Sequence, residues 1–156
     1  MSQNHREFDL ILWGATGFTG QLVAEYLLAQ YGADGEVSWA IGGRSEAKLD
    51  ALKANLGSRA DSLPVIIADS MDKQALAALA HRTRVVLTTV GPYAKYGTAL
   101  VEACVEAGTS YCDLSGEVQW IRRMIDTYAD KAEESGARIV QCCGFDSIPS
   151  DIGVWY

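Results

Sequence analysis

An apolar run, Phe8 to Trp13, passes directly into three glycines spaced three apart, Gly14, Gly17 and Gly20, and then into helix-like spacing at Leu22, Val23, Tyr26 and Leu27. Glycine costs backbone entropy wherever its freedom goes unused, so three at one strand-to-helix junction answer a geometric need. Gly14 ends the strand and allows a tight turn. Gly17 lets a bulky anionic group approach the backbone, and Gly20 lets the helix pack closely on the strand. The amides at the start of that helix carry a partial positive charge suited to a phosphate. Thr16 and Thr19 can add hydroxyl donors. The spacing, G-x-x-G-x-x-G, is one residue longer than the G-x-G-x-x-G fingerprint, and it gains its weight from standing between a strand and a helix.

The same alternation continues down the chain. Strands are expected over Glu36–Gly42, Leu63–Asp69, Arg84–Val90, Ser110–Ser115 and Ala137–Gly144. Helical patterns lie between them: one capped by Ser45 and stopped at Gly57, one over Met71–His81, one over Gly97–Gly108, and a long one over Glu117–Gly136. Near-continuous apolar strands separated by helices imply a parallel sheet covered on both faces. With right-handed crossovers this predicts an α/β fold: a doubly wound, mostly parallel six-stranded Rossmann sheet in the order 3-2-1-4-5-6. The 156 residues suffice for one such domain. The chain stops inside an apolar run, where Ser150 is positioned to cap a new helix. The reading is therefore a dinucleotide-binding domain over 1–156, forming the N-terminal part of a longer two-domain protein.

The end of the second strand selects the dinucleotide. NAD-binding chains usually place an acid there, but Asp34 and Glu36 precede this strand, which ends in Gly42, Gly43, Arg44 and Ser45. Arg44 offers a planar fork of donors to a 2′-phosphate, and Ser45 adds a hydroxyl, so NADP(H) is expected rather than NAD(H). Asp69, after the third strand, is placed to meet the adenine edge. Val90, Gly91, Pro92 and Tyr93, after the fourth, lie by the switch point where ligands cross such a sheet. Tyr93 and Tyr96 serve equally well as loop packing residues.

A formal net charge of −7 disfavours nucleic acid and anionic membrane surfaces. No stretch approaches the roughly 18 apolar residues of a membrane span, and the polar start lacks a secretory h-region. Cys104, Cys112, Cys142 and Cys143 lack metal-ligand spacing and read as reduced, which suggests a cytoplasmic setting and no metal. No catalytic residue stands out. His5 and His81 are not poised as bases, Tyr128 and Lys131 miss the Tyr-x-x-x-Lys spacing, and no G-x-S-x-G occurs. Acids and hydroxyls in "DLSGE" and "GFDS" fall at strand ends, where ligand contacts and helix capping (Ser115, Asp146, Ser150) are alternative roles.

Taken together and in order, "GATGFTG", "GGRS", "VGPYAKYG", "YCDLSGE" and "GFDSIPSD" resemble the saccharopine dehydrogenase-like NADP-binding domain, across roughly Phe8 to Gly153. They look closest to the branch holding the trans-acting enoyl reductases of lipid biosynthesis. The resemblance implies that Gly14, Thr16, Gly17, Phe18, Thr19 and Gly20 meet the pyrophosphate side, Arg44 and Ser45 the 2′-phosphate, and Val90, Gly91, Pro92 and Tyr93 the nicotinamide side. It implies NADPH-dependent reduction of a C=C or C=N bond in a small-molecule substrate, with this part alone inactive. An NADP(H)-sensing module without turnover is the alternative. An apolar face left by an absent domain could pair two copies as a homodimer.

Overall fold

The central strand, β1 (Phe8–Trp13), sends alternate side chains to opposite faces, and that division organises the molecule. The computed structural model describes residues 6–156. On one face Leu12 meets Ala24, Leu27 and Leu28 of α1 (Phe18–Tyr31) and Leu49 and Leu52 of α2 (Glu46–Leu56). On the other, Ile11 and Trp13 join Leu76 and Leu79 of α3 (Lys73–Arg82), Leu100, Val101 and Cys104 of α5 (Thr98–Ala107), and Trp120 and Met124 of α6 (Val118–Ser135). Both faces are buried, which is why this strand carries almost no polar residue.

The remaining strands are β2 (Trp39–Gly43), β3 (Val65–Ile67), β4 (Thr83–Thr88), β5 (Ser110–Asp113) and β6 (Ile139–Val140). They pair in the order β3-β2-β1-β4-β5-β6, every pair parallel, as the alternation of strands and helices predicts. The chain reverses direction across the sheet at β1 and β4. Both strands therefore open toward one crevice at their carboxyl ends.

Several elements are shorter than their apolar runs. β2 begins at Trp39 rather than Glu36, because Ser38 turns its amide to the Asp9 carboxylate (3.1 Å) and its hydroxyl to the Glu7 carbonyl (3.1 Å). β6 is two residues long instead of eight. At Cys142 the backbone turns to φ +60°, and its amide donates to Asp113 Oδ1 at 3.1 Å instead of extending the ladder. Two short helices complete the fold: α4 (Tyr93–Tyr96), which the sequence pattern did not mark, and α7 (Ile148–Trp155). Ser150 does not cap α7. The helix begins two residues earlier, Ser147 holds the cap position without a side-chain bond, and Ser150 lies inside the first turn. Ser45 does cap α2, accepting from the Lys48 amide at 3.4 Å.

Candidate functional site

A cleft of about 210 Å³ opens where β1, β2, β3 and β4 end. Its floor is the loop after β1. Gly14 sits at φ +90°, its amide donating to the Gly42 carbonyl at 3.0 Å. The Gly14 carbonyl in turn accepts from Gly17 N (3.1 Å) and from the Thr89 hydroxyl (3.1 Å), so the loop is bonded to both neighbouring strand ends. A Cβ on Gly14 would stand 2.6 Å from Val90 Cγ2, and one on Gly20 would overlap the Gly14 carbonyl oxygen. These two glycines shape the turn and the helix packing. Gly17 is different: its Cβ direction meets only the Gly14 carbonyl, at 3.5 Å, and otherwise opens outward.

Helix α1 leaves this loop with Gly17 at its N-cap, no side-chain cap and no acid in its first turn. By contrast, Ser45 caps α2, and Asp72 caps α3 with bonds of 2.9 and 3.1 Å. The first-turn amides of Phe18, Thr19 and Gly20 have no partner among the described residues, the situation in which a helix start accepts an anion.

Gly14, Thr16, Gly17, Arg44, Val90 and Gly91 come together around the cleft as the sequence suggests. Gly43, Ser70, Thr89 and the edge of Trp13 line it too and were not expected. Ser70 is 5% exposed, whereas its neighbour Asp69 is exposed and accepts from Met71 N at 2.8 Å within its own turn. A strand end in sequence does not say which of two adjacent polar residues faces the cleft. The Phe18 and Thr19 side chains are turned to solvent, and the Ser45 hydroxyl is committed to its cap. His5 lies outside the described residues, and His81 bonds the Ala77 carbonyl near the end of α3.

Pro92 is exposed, following a cis Gly91–Pro92 peptide, but Tyr93 is buried beneath it. The Tyr93 ring stacks on Trp120 (centroids 5.7 Å apart), and its hydroxyl donates to the Thr88 carbonyl at 3.2 Å. Burial pushes this hydroxyl up to about 12, so it stays neutral. Among the described residues no group of metal-ligating side chains forms a site, and the four cysteines are free thiols.

The "YCDLSGE" stretch ends β5 (Ser110–Asp113) and lies outside the cleft lining. Asp113, 3% exposed, accepts from the Tyr111 hydroxyl (2.8 Å), Ser115 N (2.9 Å) and Cys142 N (3.1 Å). Its backbone carbonyl accepts from Cys143 N at 2.7 Å, so one residue ties β5 to the segment after β6. Burial holds this carboxyl above its usual range, and the three hydrogen bonds only partly offset that. Burial therefore disfavours the ionised form of this group relative to the unfolded chain. Its contribution to stability is full below the unfolded value of about 4 and is lost as pH rises through the raised folded value. Asp113→Asn keeps the acceptor that serves both amides. It is expected to unfold at or above the wild-type urea midpoint at neutral pH and to flatten that pH dependence. Asp113→Ala strands the buried Tyr111 hydroxyl and Ser115 amide and the part-buried Cys142 amide, and should lose roughly 3 kcal/mol. Urea titrations of both variants between mildly acidic and neutral pH check this.

The model of the saccharopine dehydrogenase NADP-binding domain family matches residues 10–140. A trans-acting enoyl reductase of Mycobacterium tuberculosis is 50% identical over 155 residues, covering 99% of this chain and 36% of that protein. A trans-acting enoyl reductase of Mycobacterium leprae is 47% identical with the same coverage. This chain thus spans about a third of the length of the curated relatives it matches. The apo structure of saccharopine dehydrogenase (L-Glu forming) from Saccharomyces cerevisiae aligns with a TM-score of 0.71 at 21% identity, over 90% of this chain and 28% of that one. At that identity the likeness is one of fold.

Proposed function

Because this chain belongs to the saccharopine dehydrogenase NADP-binding domain family, we propose that its cleft seats NADP(H) for an oxidoreductase of which it is the N-terminal, cofactor-holding part. The observation that carries the reading is the uncapped start of α1 over the Gly14–Gly17 loop, next to Arg44. The residues fit the group. The free amides of Phe18, Thr19 and Gly20 suit the diphosphate, and Gly17 keeps their approach clear. Arg44, with no carboxylate partner among the described residues, suits the 2′-phosphate, and Ser70 borders the adenosine side. Val90 and Gly91 border the opposite side, toward the nicotinamide.

When bound, NADPH supplies a hydride. This chain's work is to bind, orient and keep water from the reduced ring. The trans-acting enoyl reductases support a C=C acceptor, and a C=N bond is the second choice. Among the described residues the cleft holds no free acid or base. The proton donor is therefore assigned to the remaining length of a two-domain protein, for which the one-third coverage of the relatives speaks. That body would also cover the apolar surface at Phe145, Val154 and Trp155, each about nine-tenths exposed; a homodimer of this chain is the other way to cover it. Free thiols, and the lack of any described helix long and apolar enough to cross a membrane, favour a cytoplasmic setting.

Calorimetric titration tests the premise. Saturable NADPH binding is expected, and no heat at millimolar coenzyme on folded protein would sink it. On a reading frame of the relatives' length, loss of nicotinamide absorbance with enoyl or imine compounds is expected. Binding with no turnover of either would favour a sensor.

A further inference from the structure

Resting on that reading of the cleft, we propose that Glu117 is a positioning residue for its nicotinamide-side wall, acting through the backbone of the loop after β4. One carboxylate oxygen accepts from Tyr93 N at 2.6 Å, and the other from Ala94 N at 2.9 Å. These bonds cross more than twenty residues of sequence and join the start of α6 to the start of α4. Glu117 itself is held firmly. Its amide donates to the Ser115 hydroxyl (3.2 Å), and its carbonyl accepts from Trp120 N (2.9 Å) and Ile121 N (3.0 Å).

The rest of the contact set makes the carboxylate a latch rather than a chance cap. Trp120, one turn along α6, stacks on the Tyr93 ring and donates its indole N–H to the Thr98 hydroxyl at 3.0 Å. The Tyr93 hydroxyl reaches the Thr88 carbonyl and accepts from Leu114 N at 3.4 Å. A Cβ on Gly97 would stand 2.7 Å from the Trp120 ring, so α4 and α6 have no slack between them. Upstream, Val90 N donates to the Thr88 hydroxyl at 3.2 Å. Val90 and Gly91 thus face the cleft between two fixed ends, and Glu117 holds the downstream one. Glu117 does not line the cleft, so it acts only by placing that wall.

The experiment compares NADPH with adenosine 2′,5′-bisphosphate, which carries the adenosine half and no nicotinamide. Wild type, Glu117→Ala and Glu117→Gln are titrated with both ligands, and the fluorescence of bound NADPH is recorded. Glutamine keeps one acceptor oxygen and turns an NH₂ toward the second amide, so it removes half the latch with little loss of packing. Glu117→Ala should weaken NADPH about tenfold and dim its bound fluorescence, as expected for losing charge-assisted bonds that hold one wall, with Glu117→Gln between it and wild type. The bisphosphate affinity should stay within about twofold, because the phosphate loop and Arg44 are untouched. A merely structural role would weaken both ligands alike. That result, or undiminished NADPH binding in both variants, overturns the proposal. Should Glu117→Ala not fold, Glu117→Gln alone decides by the same ratio. A wild type that binds neither ligand overturns the cofactor reading, and the latch falls with it.

Discussion

Arg44→Ala is expected to raise the NADPH Kd about 100-fold and to leave the NADH Kd within about twofold. The argument rests on position and charge. Arg44 follows the last residue of β2 directly, beside Gly43, at the rim of the cleft that holds the Gly14–Gly17 loop. None of the ion pairs among the described residues engages it, so its guanidinium is available. In a chain with a net charge of −7 the general field repels a 2′-phosphate, and a local bidentate donor has to outweigh it. Two charge-assisted bonds at the rim, each worth about 1.5 kcal/mol, account for the predicted factor. NADH lacks the phosphate and should not register the change. Arg44→Lys should fall between, since an ammonium keeps the charge and loses the fork. Calorimetry with both coenzymes measures this, and equal losses for the two would refute the assignment.

Gly20→Ala should cost the fold about 3 kcal/mol and lower the melting temperature by roughly 6–12 °C, with cofactor binding lost alongside. Its added methyl would overlap the Gly14 carbonyl oxygen and stand 2.8 Å from Ala15 Cα and 2.9 Å from Ala15 C. All three are backbone atoms of a loop bonded on both sides, so none can swing away as a side-chain tip would. The helix must lift off β1, and the loop deforms with it. Gly17→Ala is the control. Its φ of −76° suits alanine, and its nearest contact is 3.5 Å. It should melt within about 2 °C of wild type. NADPH should nevertheless bind about tenfold more weakly, because the new methyl stands where the proposed site would receive the diphosphate. Thermal melts with parallel titrations separate the two roles. Equal melting of the two variants would show that the glycines do not divide the work.

What could be read ahead of the structure follows a physical division. The strand order, the two-sided core and the glycine junction were legible because each depends on a local period or a local backbone need. Phe8–Trp13 is apolar at every position but one because both of its faces are covered, whichever helices cover them. The Arg44 rim was legible because it follows a strand end in sequence. Tyr93 was not: nothing local separates a tyrosine lining a cleft from one stacked on Trp120 beneath it. Ser70 and Asp69 are neighbours of similar polarity, and only the turn after β3 aims one at the cleft and the other at Met71 N.

By itself, then, the sequence determined a parallel six-stranded sheet with a glycine loop at the head of α1, since hydrophobic alternation and glycine placement act over a few residues. Only the tertiary structure decided what Asp113 and Glu117 do. Besides the Tyr111 hydroxyl and Ser115 amide next to Asp113, their carboxylates accept from amides 29, 24 and 23 residues away in the chain. The choice of partner rests on which strand ends the packed core brings within 3 Å or so of each other, a distance that no local pattern encodes.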